Sequence, residues 1–213
     1  MREDTITGFP AIDEGKPQQG NVHVSAKQSK TRVCPWWLAY TFDNPLRRFW
    51  HDPRKLFGPF VEPGAAVLDI GCGLGWASLG LARLVGPDGL VFSVDVQPRM
   101  LAALKRRARR AGLSERIKPV LISAESFELD RPVDFALGFW VVHEVPDQAG
   151  LFDTVLQYLK PDGRFLVVEP HGHVVEADFN ASVDLACRRG FERLGQPTIG
   201  KNLTALLRPG DAS

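Results

Sequence analysis

The chain is short of cysteine and of net charge, and each shortage closes off a class of protein. Three cysteines occur in 213 residues, Cys34, Cys72 and Cys187. None forms a CxxC pair, and so sparse and odd a set fits a reducing compartment better than a disulfide framework. The formal net charge is +1, so no global field favours nucleic acid or an anionic membrane. The opening "MREDTITGFP" lacks the basic start and apolar centre of a secretory signal. The most apolar long stretch, residues 65–85, is interrupted by Asp69, Arg83 and several glycines, too broken for a membrane span. No internal repeat is visible. Together these absences predict a cytoplasmic protein with no membrane partner and no nucleic-acid partner. The length suits one domain with a sizeable core.

What is present is organised in three parts. Residues 1–32 are polar and without period, and read as a flexible tail. Residues 33–62, "VCPWWLAYTFDNPLRRFWHDPRKLFGPFVE", are dense in aromatics and cut by prolines. Short helices are predicted near Pro45–Trp50 and Pro53–Phe60, each opened by a proline. Residues 63–213 alternate strand and helix. "AVLDIG", "LVFSVDV", "IKPVLIS", "VDFALGFWVV" and "GRFLVVEP" read as buried strands. Helices are predicted over Trp76–Val85, Pro98–Ala111, Ala149–Leu159 and Glu176–Arg189, and "GFERLGQ" and "NLTALLR" as two closing strands. Strands that are apolar throughout and alternate with helices predict a parallel sheet covered on both faces.

In such a sheet ligands bind beyond the carboxyl ends of the strands. The first strand runs into "LDIGCGLGWASLGLA", Leu68–Ala82. Gly71, Gly73 and Gly75 permit a sharp turn and a close backbone approach. A dinucleotide loop has the spacing G-x-G-x-x-G/A, but Trp76 occupies its last position and the run is D-x-G-x-G-x-G. Asp69 before the loop is poorly placed against a pyrophosphate and suits a cationic group. Asp95 ends the second strand at about the distance of a ribose-binding acid. These residues point to an adenosine-like ligand with positive charge and no phosphate; the alternative is a loop that only makes a turn.

From about Ala65 to Pro170 the chain resembles a class I S-adenosylmethionine-dependent methyltransferase. "VLDIGCGLG", "VFSVDVQPRML", "SAESF", "VDFALGFWVVHEVPD" and "LKPDGRFLVVEP" resemble that family's motifs in order. The resemblance implies a Rossmann-like seven-stranded α/β sheet, mostly parallel with an antiparallel last strand and helices on both faces. It implies S-adenosyl-L-methionine as cofactor and S-adenosyl-L-homocysteine as product. It further implies that Gly71, Cys72, Gly73 and Gly75 line the methionine part, Asp69 helps hold its amino group, Asp95 meets the ribose, and Val96 belongs to the cofactor site. Ala124 and Glu125 would border the adenine, and Gly138–Val141, Phe139 among them, would face the sulfonium. Cys72 also reads as a small buried residue without chemistry.

The acceptor is less legible. No D/N-P-P-Y/F and no Pro-Cys follow the fourth strand, which weakens methylation of nucleic bases and of protein glutamine. A small-molecule acceptor with an O, N or S nucleophile is the resulting expectation; a protein or RNA acceptor and a non-catalytic binding role are the alternatives. Candidate catalytic residues are His143 and Glu144 after the fourth strand and His171, with His173, after the fifth, since a histidine there titrates in a useful range; each also reads as a structural side chain. No ligand spacing beyond His171-x-His173 suggests a metal. Cys34 raises a metalloid or thiol acceptor as a further alternative. Trp36, Trp37, Leu38, Tyr40 and Phe42 suggest a lid over the acceptor, with Tyr40 as its polar member, or else core packing. The basic run Lys105–Arg110 reads as a solvated helix face.

Asp95→Ala is expected to weaken S-adenosylmethionine binding by about 1.5–3 kcal/mol, the worth of hydrogen bonds to a charged acceptor. Isothermal calorimetry checks it, and an unchanged Kd would remove Asp95 from the ribose.

Overall fold

The computed structural model describes residues 52–122 and 127–210. The predicted tail, the proposed lid with Tyr40 and Cys34, the helix near Pro45–Trp50, and Ala124 and Glu125 all lie outside the described residues. Helix α1, Pro53–Phe57, begins where the Asp52 side chain accepts from the Arg54 backbone N–H at 3.0 Å and Pro53 presets the first turn. It continues as a 3₁₀ turn, Gly58–Phe60. Strand β1, Ala66–Ile70, is buried along its whole length. Then follow α2 (Trp76–Leu84), β2 (Leu90–Asp95), α3 (Pro98–Arg110) and β3 (Ile117–Leu121). Strand β4 (Val133–Phe139), α4 (Gln148–Tyr158), β5 (Leu159–Glu169), α5 (Glu176–Arg188), β6 (Phe191–Gly195) and β7 (Leu203–Pro209) complete the chain.

The strands form one seven-stranded sheet in the order β3-β2-β1-β4-β5-β7-β6. The order reverses between β1 and β4, so the carboxyl ends of those two strands frame a crevice. The pairs from β3 to β5 are parallel, while β7 runs antiparallel to both β5 and β6. The two closing strands are therefore not appended in chain order: the last strand is inserted between β5 and β6. Strand β5 also begins earlier than predicted, pairing Leu159 with Val133 before a register shift that brings Arg164 to Phe135.

Because side chains alternate along a strand, the sheet buries a core on each face. On one side Val67, Phe135, Leu137 and Phe139 pack with Phe57, Leu81 and Leu104. On the other, Leu68, Ile70, Phe92 and Phe165 pack with Phe152, Phe179 and Phe191. Phe57 lies within 6.0 Å of the rings of both Trp76 and Phe139, so the piece of chain just before β1 belongs to the core beside the crevice.

Gly75 holds α2 against α3. Its φ is +84°, a conformation costly to residues with a side chain, and a Cβ there would stand 2.2 Å from Leu104 Cδ1. Gly75→Ala is expected to lower stability by about 2–4 kcal/mol through strain and overpacking. Gly112→Ala, at φ +67° with nothing near its Cβ, is expected to cost only about 1 kcal/mol. Urea unfolding of the two variants measures the difference.

Candidate functional site

The crevice at the carboxyl edge opens into a cavity of about 560 Å³. One end is built by the loop after β1. Gly71, Gly73 and Gly75 have φ values of +64°, +51° and +84°. Three left-handed turns in five residues keep the backbone tight, and at Gly71 a Cβ would meet Val141 Cγ2 at 2.4 Å. Asp95 fastens this loop to β2: its Oδ2 accepts from Gly73 N at 2.9 Å and its Oδ1 from Gln97 N at 2.8 Å. Arg107 on α3 donates to the Leu74 carbonyl at 2.8 Å.

Asp69 and Asp95 are both buried and both line the cavity. Asp69 accepts from Ser78 Oγ at 2.5 Å, and Ser93 Oγ donates to Ser78 at 2.9 Å. This buried chain of hydrogen bonds holds one carboxylate oxygen of Asp69. Among the described residues neither carboxylate has a cationic partner. Burial, with the neighbouring Asp95 and against the Ser78 bond, pushes the Asp69 carboxyl up to about 7. Burial likewise raises Asp95, against the bonds from Gln97 and Gly73. Cys72 lines the same end, its thiol held well above the ordinary value by burial and by the two acids. Such a thiol stays protonated and is a poor nucleophile or metalloid ligand.

The other end carries aromatics and histidines. Phe139, Trp140, Trp76 and Phe127 line the cavity, with His143 and Glu144 from the 3₁₀ turn after β4. His143 is clamped by Glu169, the last residue of β5. Its backbone N–H donates to Oε1 at 3.1 Å and its ring Nδ1 stands 2.6 Å from Oε2. The Glu169 bond raises the His143 pKa against partial burial. The His173 ring packs edge-on at 5.2 Å.

Of the residues singled out in the sequence, Asp69, Gly71, Cys72, Gly73, Asp95, Val96, Phe139, His143 and Glu144 line one cavity. Two singled-out residues do not. Gly75 is the turn that starts α2. His171 is exposed and away from the cavity; Gly172 at φ +88° turns the chain so that His173 N and Val174 N return to the Pro170 carbonyl, and His173, also exposed, borders the cavity instead. Glu169 and Asn202 are functional candidates missed in sequence; Trp140 falls within the Gly138–Val141 span read as facing the sulfonium. For Glu169 the signal was an acid ending an otherwise apolar strand. Among the described residues no group of three or more His, Cys, Asp or Glu is placed to hold a metal, and no helix is long and apolar enough to cross a membrane.

Residues 61–207 match a family described as "Methyltransferase domain". The chain is 31% identical over 170 residues to the ubiquinone/menaquinone biosynthesis C-methyltransferase UbiE of Pasteurella multocida, covering 78% of this chain and 61% of the relative. It is 30% identical over 112 residues to the demethylmenaquinone methyltransferase of Bacillus cytotoxicus, covering 51% and 46%. The matched stretch thus spans about half the length of these curated relatives. Among solved structures, a SAM-dependent methyltransferase from Aquifex aeolicus superposes with a TM-score of 0.71 at 21% identity, covering 83% of this chain and 98% of that one.

Asp69 links stability to pH. Unfolded, its carboxyl titrates near 3.9 (about the ordinary value). Between there and about 7 the folded protein keeps a proton that the unfolded chain releases. Stability therefore falls as pH rises through that window and levels off above it, by roughly 4 kcal/mol in all. Asp69→Asn, which can still accept from Ser78, is expected to flatten this slope in urea unfolding between pH 4 and 8.

Proposed function

Because the chain belongs to the class I S-adenosylmethionine-dependent methyltransferase family, we propose that it binds S-adenosylmethionine against the Gly71–Gly75 loop and methylates a small molecule held in the other end of the cavity. The observation that carries this reading is the pair of buried carboxylates, Asp69 and Asp95, facing the cavity with no described cation to answer them. Such a pair calls for a ligand that brings positive charge. S-Adenosylmethionine carries an ammonium and a sulfonium and no phosphate, so it fits. A dinucleotide would set its pyrophosphate at the loop beside Asp69.

The chain's own residues divide the work. Asp69 holds the amino group of the ligand, and the tight backbone at Gly71–Gly73 lets the methionine part approach. Asp95 anchors the loop through two of its lone pairs and keeps others for the ribose hydroxyls. Ala124 and Glu125 remain the proposed border of the adenine. Phe139, Trp140 and Trp76 exclude water from the reacting end. When bound, S-adenosylmethionine supplies an electrophilic methyl group and leaves as neutral S-adenosylhomocysteine.

Support for a small acceptor comes from the cavity's size, about 560 Å³, and from its lining by β1, β2, β4, the turns beyond them and the adjoining helices. It also comes from the two curated relatives, whose names concern quinone biosynthesis. The metalloid alternative is weakened by the protonated Cys72 thiol; its other thiol, Cys34, lies outside the described residues.

Calorimetry is expected to give binding of S-adenosylmethionine and S-adenosylhomocysteine and none of NAD. A tritiated-methyl assay against metabolite, tRNA and protein pools is expected to label the metabolite pool. NAD binding without S-adenosylhomocysteine binding overturns the cofactor reading, and label in tRNA or protein overturns the acceptor reading.

A further inference from the structure

We propose that the acceptor is a neutral, planar molecule with a weakly acidic ring hydroxyl, that it lies against Trp140, and that His143, oriented by Glu169, takes the hydroxyl proton. The inference rests on the methyl-transfer reading above and names the substrate class of the same cavity.

Charge gives the first argument. The described lining contains no lysine or arginine, while Asp69, Asp95, Glu144 and Asp147 all reach it. An acceptor with a permanent carboxylate or phosphate would meet mostly like charge among the described lining residues. A neutral acceptor does not.

Shape gives the second. Trp140 is the one non-glycine residue with positive φ (+60°) among the described residues. A bulky side chain there is strained, and strain of this kind persists only where neighbours enforce it. Its backbone N–H donates to the Val168 carbonyl at 2.7 Å. Its indole Nε1 donates to Asn202 Oδ1 at 2.9 Å, and Asn202 Nδ2 donates in turn to the Ile199 carbonyl at 2.8 Å. The ring extends a wall in which Phe139 lies 5.2 Å from Trp140 and 5.1 Å from Trp76. A rigid aromatic wall is complementary to a flat ligand.

The proton gives the third. Glu169 is buried, its side chain 3% exposed, and it directs one oxygen to the backbone and one to the ring of the same residue. A carboxylate only accepts, so Nδ1 of His143 carries the hydrogen and Nε2 holds a free lone pair. Three titratable groups face this ring: Glu169 from β5, Glu144 with Oε1 4.0 Å from Nε2, and His173 from the loop after β5. The hydroxyl O–H bond breaks, its proton forms a new bond to Nε2, and the electron pair stays on oxygen as the nucleophile. Glu169 then faces an imidazolium, which its charge stabilises. A thiolate or carboxylate acceptor would need none of this apparatus. Glu169 is a positioning residue; His143 is the group that touches the acceptor.

The probe is 4-nitrophenol, whose ionisation is read by absorbance, added to protein saturated with S-adenosylhomocysteine. The bound probe is expected to ionise at least about one pH unit below the free one, a tenfold preference for its anion. Glu169→Gln is expected to remove most of that shift and, by histidine NMR, to lower the His143 midpoint. Trp140→Leu is expected to weaken probe binding about tenfold, the upper range of an aromatic contact, with the S-adenosylhomocysteine Kd unchanged. His143→Asn serves as the second reading where Glu169→Gln does not fold. A probe that fails to bind, or that ionises as in water, overturns the inference while the cofactor reading stands. If S-adenosylhomocysteine does not bind, the probe is titrated into protein alone. A shifted ionisation there keeps the histidine assignment and removes only the methyl-transfer reading, whereas an unshifted one removes both.

Discussion

Two carboxylates stand at the carboxyl ends of adjacent strands, and no described cation answers either. Asp69 and Asp95 are brought together by the parallel pairing of β1 with β2, which aligns Ile70 with Val94 and places both acids at the crevice. Burying like charges side by side is unfavourable. The fold tolerates it by giving Asp69 a serine chain and Asp95 two backbone N–H groups. The same bonds that satisfy these acids shape the glycine loop, so the ligand site and the local fold are one construction. On the proposed reading, a cationic ligand relieves the remaining penalty.

The opposite end works on different physics. There the cavity is lined by rings, and polarity is concentrated in the His143–Glu169 pair with Glu144 and His173 beside it. Its geometry depends on the late part of the chain. Glu169 closes β5, and Asn202, just ahead of β7, steadies the Trp140 indole. The antiparallel insertion of β7 beside β5, pairing Glu169 with Leu203, is what carries Asn202 to the Trp140 indole. The closing strands thus serve the site as well as the sheet edge.

Much of this was legible in sequence. Apolar runs such as "AVLDI" and "VDFALGF" became strands at their predicted places, because a strand buried on both faces has no polar alternation to obscure it. Proline openings marked α1 and α3, and the glycine loop announced its left-handed turns. What escaped was whatever depended on a partner distant in the chain. Glu169 read as the end of a strand, and only across 26 residues does it become the clamp of His143. His171 and His173 were indistinguishable until the turn at Gly172 left both exposed but set only His173 at the border of the cavity.

The sequence by itself determined the alternation of strands and helices, the loop, and the two acids that line the cavity beside it. These are local properties: hydrophobic pattern, glycine conformation and residue type speak for themselves within a few positions. The tertiary structure alone decided the strand order with β7 inside β6, the strained rotation of Trp140, and which histidine receives a carboxylate. Those depend on strand register and on bonds such as Trp140–Asn202, which spans 62 residues. A long-range contact is selected by the packing of the whole sheet, and no short stretch of sequence carries it.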